Sequence, residues 1–166
     1  MVRVDIETIV MAAGPVPSLI VLRERSSKSD SPAPLRSLSI QTGSFEAAAI
    51  SRGIDSGRAE RPITHDLLLD TVDALGAKLE RIEIVRAEPP VFYATIVVLA
   101  DGEERKIDAR PSDAIALAVR SNAPMFVGDD IMNRLGTVST HAEDVDDEQE
   151  FEKFDEFVHT LSPDDF

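Results

Sequence analysis

Two carboxylates, a guanidinium and a hydroxyl fall within Asp108-Ala109-Arg110-Pro111-Ser112-Asp113, and Ala114-Ile115-Ala116-Leu117 continues the run without another charge. A histidine next to a carboxylate stands upstream in His65-Asp66, and one more carboxylate, Glu46, in Gly43-Ser44-Phe45-Glu46-Ala47. Carboxylates hold hard divalent cations or activate water, arginine grips an oxyanion through parallel N–H donors, and histidine moves protons. The same residues have ordinary structural uses. Ser112 and Asp113 can cap a helix, Asp108 and Arg110 can form an ion pair, and Asp66 suits the positive end of a helix. Spacing alone does not choose between the two uses.

The elements that must position these groups can be read around them. Arg105 to Arg110 alternates, which puts Lys106, Asp108 and Arg110 on one face of a strand and Ile107 and Ala109 on the other. Pro111 ends that strand and suits the first turn of a helix, which runs through small alanines to Asn122 and can lie close on a sheet. Leu79 to Val85 and Val91 to Leu99 read as strands, with Asp101-Gly102 as a hairpin turn into the next. Val2 to Val10, Val16 to Leu22 and Leu35 to Gln41 are three more, the last preceded by a polar loop from Ser26 to Pro34.

Ser44 opens a short helix, Phe45 to Arg52, stopped at Gly53, and Thr64 caps a longer one ending at Gly76. The longer helix turns Leu67, Leu68, Val72 and Leu75 inward, and Asp66, Asp70 and Asp73 form a solvated acidic face. His65, at the start of that helix, suits a neutral ring able to accept a proton, or a hydrogen-bonded surface histidine. Pro124 to Val127 reads as a short strand and Asp129 to Leu135 as a short helix closed by Gly136. Strands in runs, not in strict alternation with helices, predict an α+β fold with a mixed, largely antiparallel sheet and packed helices.

Composition sets the bounds. The 166 residues, 43% of them hydrophobic, suffice for one domain with a proper core. We assign residues 1–136 to that domain, 137–150 to an acidic linker, and 151–166 to an amphipathic helix with Phe151, Phe154, Val158 and Leu161 on its apolar face. That helix is expected to pack on its own domain or on a dimer mate; the alternative is an acidic mimic of nucleic acid that covers the site. The absence of cysteine excludes disulfides, thiolate zinc sites and thiol nucleophiles. Neither a signal-peptide pattern nor an apolar run of the ~20 residues that cross a bilayer is present, so a soluble cytoplasmic protein without a membrane role is expected. Net charge is −14, but from His141 onward eleven acids face one lysine, which leaves −4 for Met1 to Thr140. Without a lysine-rich patch, nucleic-acid binding is expected to be weak, salt-sensitive or dependent on a divalent metal. Gly-x-Ser-x-Gly and Gly-rich Lys-Ser/Thr phosphate motifs are missing, which removes support for those enzyme classes.

The run Asp108 to Leu117 resembles the signature of the bifunctional nuclease domain family, small prokaryotic and plant proteins described as degrading both DNA and RNA. Gly43 to Ala47, Arg61-Pro62-Ile63-Thr64-His65-Asp66-Leu67-Leu68, Phe92-Tyr93-Ala94 and Ala123-Pro124-Met125-Phe126-Val127 resemble the family's pattern in the same order, so that the similarity covers residues 1 to 136. The resemblance implies a nuclease of low sequence specificity acting on DNA and RNA, assisted by magnesium or manganese; we further expect weak, non-specific binding of both, a homodimer and no organic cofactor. Phosphodiester hydrolysis needs an activated water, stabilised phosphoryl oxygens and help for the leaving oxygen. On that reading Asp108 and Asp113 hold metal or activate water, Arg110 and Ser112 bind substrate, His65 and Asp66 transfer protons, and Glu46 is a further metal ligand. The rival is a non-catalytic dimeric ligand-binding or protein-interaction module of the same fold. A third reading, a hydrolase of a small phosphorylated molecule, requires a closed pocket.

Overall fold

The computed structural model describes residues 1–13, 16–25, 34–55 and 61–138. Most of the loop expected at 26–34, the linker from residue 139 and the amphipathic segment 151–166, with His141 and His159, lie outside the described residues. Within them the strands are β1 (Val2–Val10), β2 (Ser18–Glu24), β3 (Arg36–Thr42), β4 (Ala77–Glu88), β5 (Val91–Ala100), β6 (Glu103–Ala109), β7 (Met125–Val127) and β8 (Thr137–Val138). The helices are α1 (Ser44–Ile54), α2 (Thr64–Ala74), α3 (Pro111–Ser121) and α4 (Asp129–Leu135). All the strands join one sheet in the order β6-β5-β4-β7-β1-β2-β3-β8. Every neighbouring pair is antiparallel except β4 and β7, so the fold is the expected α+β with a mixed sheet.

Local sequence explains the hairpin that leads to the site. Asp101 (φ 56°) and Gly102 (φ 80°) take the two positive-φ places of a tight turn, where glycine is unhindered and aspartate is tolerated. They set β5 against β6 in the register Ala94↔Ala109, Thr95↔Asp108 and Ile96↔Ile107. The segment expected as a last short strand, β7, lies in the interior of the sheet, between β4 and β1. That insertion dictates the path of α3. Leaving the edge strand β6 and feeding the interior strand β7, α3 must cross β5 and β4, and it packs on both.

One face of the sheet carries the core: Ile20, Leu22, Leu38, Ile82 and Ile84 are fully buried together with Ile115 and Leu117 of α3. Burying one such side chain contributes roughly 1.5–3 kcal/mol. α1 and α2 pack against α3 and also reach the sheet at β2 and β4, so that Pro111, Ser112 and the whole run Ala114 to Ala118 are buried. The small alanines let the sheet and the two neighbouring helices approach this helix closely.

Two local expectations change. Gly53 lies inside α1 instead of ending it, pressed so closely on Val119 and Arg120 that a Cβ there would overlap both. On α2, Leu69 and Val72 pack on the core while Leu67, Leu68 and Leu75 are exposed. The reason is Asp66, which takes an inward place opposite Arg120; with 3.6 residues per turn, Leu69 and Val72 then follow it inward.

Candidate active site at three helix starts

Arg110 is the N-cap residue of α3 (φ −69°, ψ 145°), and no side chain caps this helix. The Arg110 guanidinium turns back over the first turn. Its Nε donates to Asp113 Oδ2 at 2.8 Å and its Nη2 to Asp113 Oδ1 at 3.0 Å, a two-pronged charge-assisted pair. Its Nη1 donates to Glu46 Oε1 at 3.2 Å. On the other side, His65 Nε2 lies 3.4 Å from Asp113 Oδ1. Glu46 is in the first turn of α1, His65 in the first turn of α2 and Asp113 in the first turn of α3. The starts of three helices therefore meet at one group of four side chains.

This arrangement changes the local electrostatics. First-turn amides have no partner within their helix, and each helix start carries roughly +0.5 of a charge. Three starts and Arg110 supply roughly +2.5 against the two carboxylates, so the carboxylate charge is offset at this spot of an acidic protein. The Arg110 guanidinium holds the Asp113 carboxyl below the ordinary aspartate range, with His65 adding to the effect and partial burial opposing it. Asp113 in turn raises Arg110 further above its ordinary value. Arginine carries five N–H donors. Three are engaged here and its side chain is 65% exposed, so the remaining donors can reach a ligand.

The other expected site residues are placed differently. Asp66 does not join the cluster. Its Oδ2 accepts from the backbone N–H of Ile63, and its Oδ1 accepts from Arg120 Nε at 2.9 Å. Arg120 also donates to the carbonyls of Ala116 (2.7 Å) and Ala49 (2.8 Å), with a side chain only 7% exposed. This pair ties α2 to α3 and α1 and so fixes the turn that carries His65. Asp66 is a positioning residue here. Ser112 is 8% exposed, too covered to meet a polymer.

Asp108 lies on the far side of the sheet. Its registered neighbours are Thr95 and, beyond it, Glu83, on the face opposite the buried Ala94 and Ile96 that meet α3. The expected sharing of a face by Asp108 and Arg110 ends because the strand stops at Ala109 and the chain turns toward the helices. Asp108 consequently has no ion pair with Arg110.

Asp108, Asp113 and Glu46 thus do not form a shared magnesium or manganese site: one is on the other face, and both oxygens of Asp113 are held by Arg110. Among the described residues, no group of three or more His, Asp or Glu side chains is arranged to hold a metal ion. The donor set does not fit the ion the family resemblance suggested.

A model of the family described as bifunctional nuclease domain matches residues 20–140, which include all three helix starts and the strand-to-helix junction. The chain belongs to the bifunctional nuclease domain family. Two relatives from Mycobacterium tuberculosis, one in strain CDC 1551 / Oshkosh and one in strain ATCC 25618 / H37Rv, are each 37% identical over 136 residues. The alignments cover 79% of this chain and 81% of theirs, and both relatives are named only as uncharacterized proteins. No helix among the described residues of this family member is long and apolar enough to cross a membrane.

Sequence reasoning missed three residues. Arg120 carried one signal, a lone charge following the apolar run Ala114 to Val119. Phe45, next to Glu46, is 87% exposed, and Leu68, one helical turn beyond His65, is exposed as well. Nothing in the local pattern told these from core residues.

Proposed function

We propose that this chain is a nuclease of low sequence specificity, breaking phosphodiester bonds where α1, α2 and α3 begin, with DNA and RNA both admitted to the same open surface. The observation that carries the reading is the convergence of three helix starts near Arg110, with Glu46 bonded to its guanidinium and His65 next to its partner Asp113. The helix starts and guanidinium bind the phosphate, and the imidazole and carboxylate are placed to move protons. Phe45 and Leu68 offer apolar surface to unpaired bases beside it.

Family membership supports the reading, since the family is described as a nuclease domain. We further propose a cytoplasmic homodimer, for which the exposed Leu67 of α2 and Leu75 just after it are available contacts. The rival, a non-catalytic ligand-binding or interaction module, draws on the fact that the Arg110 pairs are complete without substrate.

The test is cleavage of DNA and RNA at low salt by purified wild type and by Arg110→Ala, with magnesium, manganese or chelator. Loss of activity in a folded Arg110→Ala supports this site. Equal activity in both would put the chemistry elsewhere or in a contaminant. No cleavage by either would leave the binding module.

A further inference from the structure

The two ends of the sheet are built differently. At one end β6 carries five charged side chains in seven residues, from Glu103 to Asp108, the kind of edge that resists pairing with another chain. β3 lies next to the other end. Its outer side carries β8 at Arg36 and Ser37 only, and from Leu38 to Thr42 it has neither a charge nor, among the described residues, a strand on that side. An uncharged edge of this kind is a liability unless something covers it.

A groove runs beside that edge. Leu38, Pro89, Pro90, Phe92 and Leu135 line a cavity of about 470 Å³, with the exposed Ser39 of β3 at its rim. Leu38 of β3 and Phe92 of β5 have four strands between them and would lie roughly 24 Å apart in a flat sheet, at about 4.8 Å per strand, so the groove is the gap left where the curled sheet brings β3 round towards β5. Thr137 lines the groove too, and Val138, the last described residue, is 45% exposed, so the chain departs from the groove's own rim. Next to Leu135, the exposed Arg134 donates to the Ala87 carbonyl at 2.8 Å and pairs with no carboxylate among the described residues.

We propose that this groove is the seat of the chain's own C-terminal segment, 151–166, with Phe151 and Phe154 laid into it along the open edge of β3. The chemistry of the two surfaces selects this occupant. The segment places Phe151, Phe154, Val158 and Leu161 at helical spacing with Glu152 and Glu156 on the opposite face, so the apolar groove takes the stripe while Arg134 meets the acidic flank. Reach selects it as well. The connection 139–150 has twelve residues, starts at the rim and spans at most about 43 Å. A tether that short holds the segment at an effective concentration in the millimolar range, enough to fill the groove through a contact too weak to capture a free partner. A seat over the Arg110 cluster would use the acids and leave the stripe in water. The proposal goes beyond the nuclease reading and does not depend on it.

The experiment uses the full-length protein with p-benzoylphenylalanine, a light-activated aromatic cross-linker, in place of Phe154, which lies beyond the family match ending at residue 140. After irradiation the joined peptides are read by mass spectrometry. The expected result is a link within one chain, at monomer mass, to residues 38–42, 89–92 or Leu135. Ser39→Glu puts a like charge on the rim and should lower the yield of that link by about fivefold or more, whereas Ser39→Gln should keep it. Both variants are checked for an unchanged circular dichroism spectrum. Links to the starts of α1, α2 or α3 would show that the segment covers the Arg110 cluster, and links at twice the monomer mass that a second copy fills the groove. Either result, or no link at all, overturns the proposal.

Discussion

Asp66 of α2 and Arg120 of α3 form an ion pair at 2.9 Å in which the arginine also donates to a carbonyl of its own helix and to one of α1. It is the anchor that holds the start of α2, and with it His65, against α3. The chemistry proposed at Arg110 therefore rests on a contact that would touch no substrate.

Removing one partner should be costly, because the other is left as a poorly solvated charge. Breaking a pair this sheltered costs about 3 kcal/mol, so Asp66→Ala should lower Tm by roughly 6–12 °C in calorimetry. At a temperature where the variant is still folded, its cleavage rate should fall while Arg120→Lys, which keeps the charge, falls less. An unchanged Tm for Asp66→Ala would remove the anchor.

A methyl group at Gly43 tests the position of the Glu46 carboxylate. The backbone there is extended (φ −70°, ψ 157°), so alanine fits without strain, but its Cβ would overlap Glu46 Oε2. Gly43→Ala should alter stability by less than about 1 kcal/mol. Its cleavage rate should nonetheless drop by about tenfold, the equivalent of roughly 1.4 kcal/mol in the barrier. Wild-type activity would show that the folded-back carboxylate is not used.

Phe45 is exposed at 87% on the turn that carries Glu46, a placement that burial does not explain. Stacking of one base on an aromatic ring is worth about 1–3 kcal/mol. Phe45→Ala should therefore weaken binding of single-stranded RNA by about tenfold in fluorescence anisotropy, with the fold intact. Equal affinity would leave the ring without a role in binding.

The Arg110–Asp113 pair makes a pH-dependent contribution to stability. The folded carboxyl is held below the ordinary range by Arg110, so the contribution is complete above the unfolded aspartate value of about 3.9 and is lost as pH falls through the lower folded value. The difference in denaturant midpoint between wild type and Asp113→Asn should stay constant from about pH 5 to neutrality and shrink below about pH 4. A gap independent of pH in acid would contradict the pairing.

Much of the fold was legible because alternation and turn chemistry are local. Asp101-Gly102 announced the hairpin, Pro111 the strand-to-helix handover, and Gly76 the end of α2. The insertion of β7 beside β4 was not legible, since pairing partners distant in the chain leave no periodic trace. The site was half legible. His65, Arg110, Asp113 and Glu46 were singled out as separate motifs, and the structure brings them together. Asp108 was misjudged because a two-residue alternation was extended one position too far, past Ala109, where the chain leaves the strand. Asp66 stood beside a histidine and looked chemical, whereas its partner was fifty-four residues away in Arg120.

The most direct test sets the cluster against the conspicuous carboxylate outside it. Cleavage of RNA by His65→Gln and by Asp108→Asn, prepared identically and checked for folding, should differ sharply from each other. The account predicts a loss of about a hundredfold or more in His65→Gln and a rate within about twofold of wild type in Asp108→Asn, as expected for a polar exchange on the far sheet face. Full activity in folded His65→Gln, or its loss in folded Asp108→Asn, would contradict the assignment of the active site to the three helix starts.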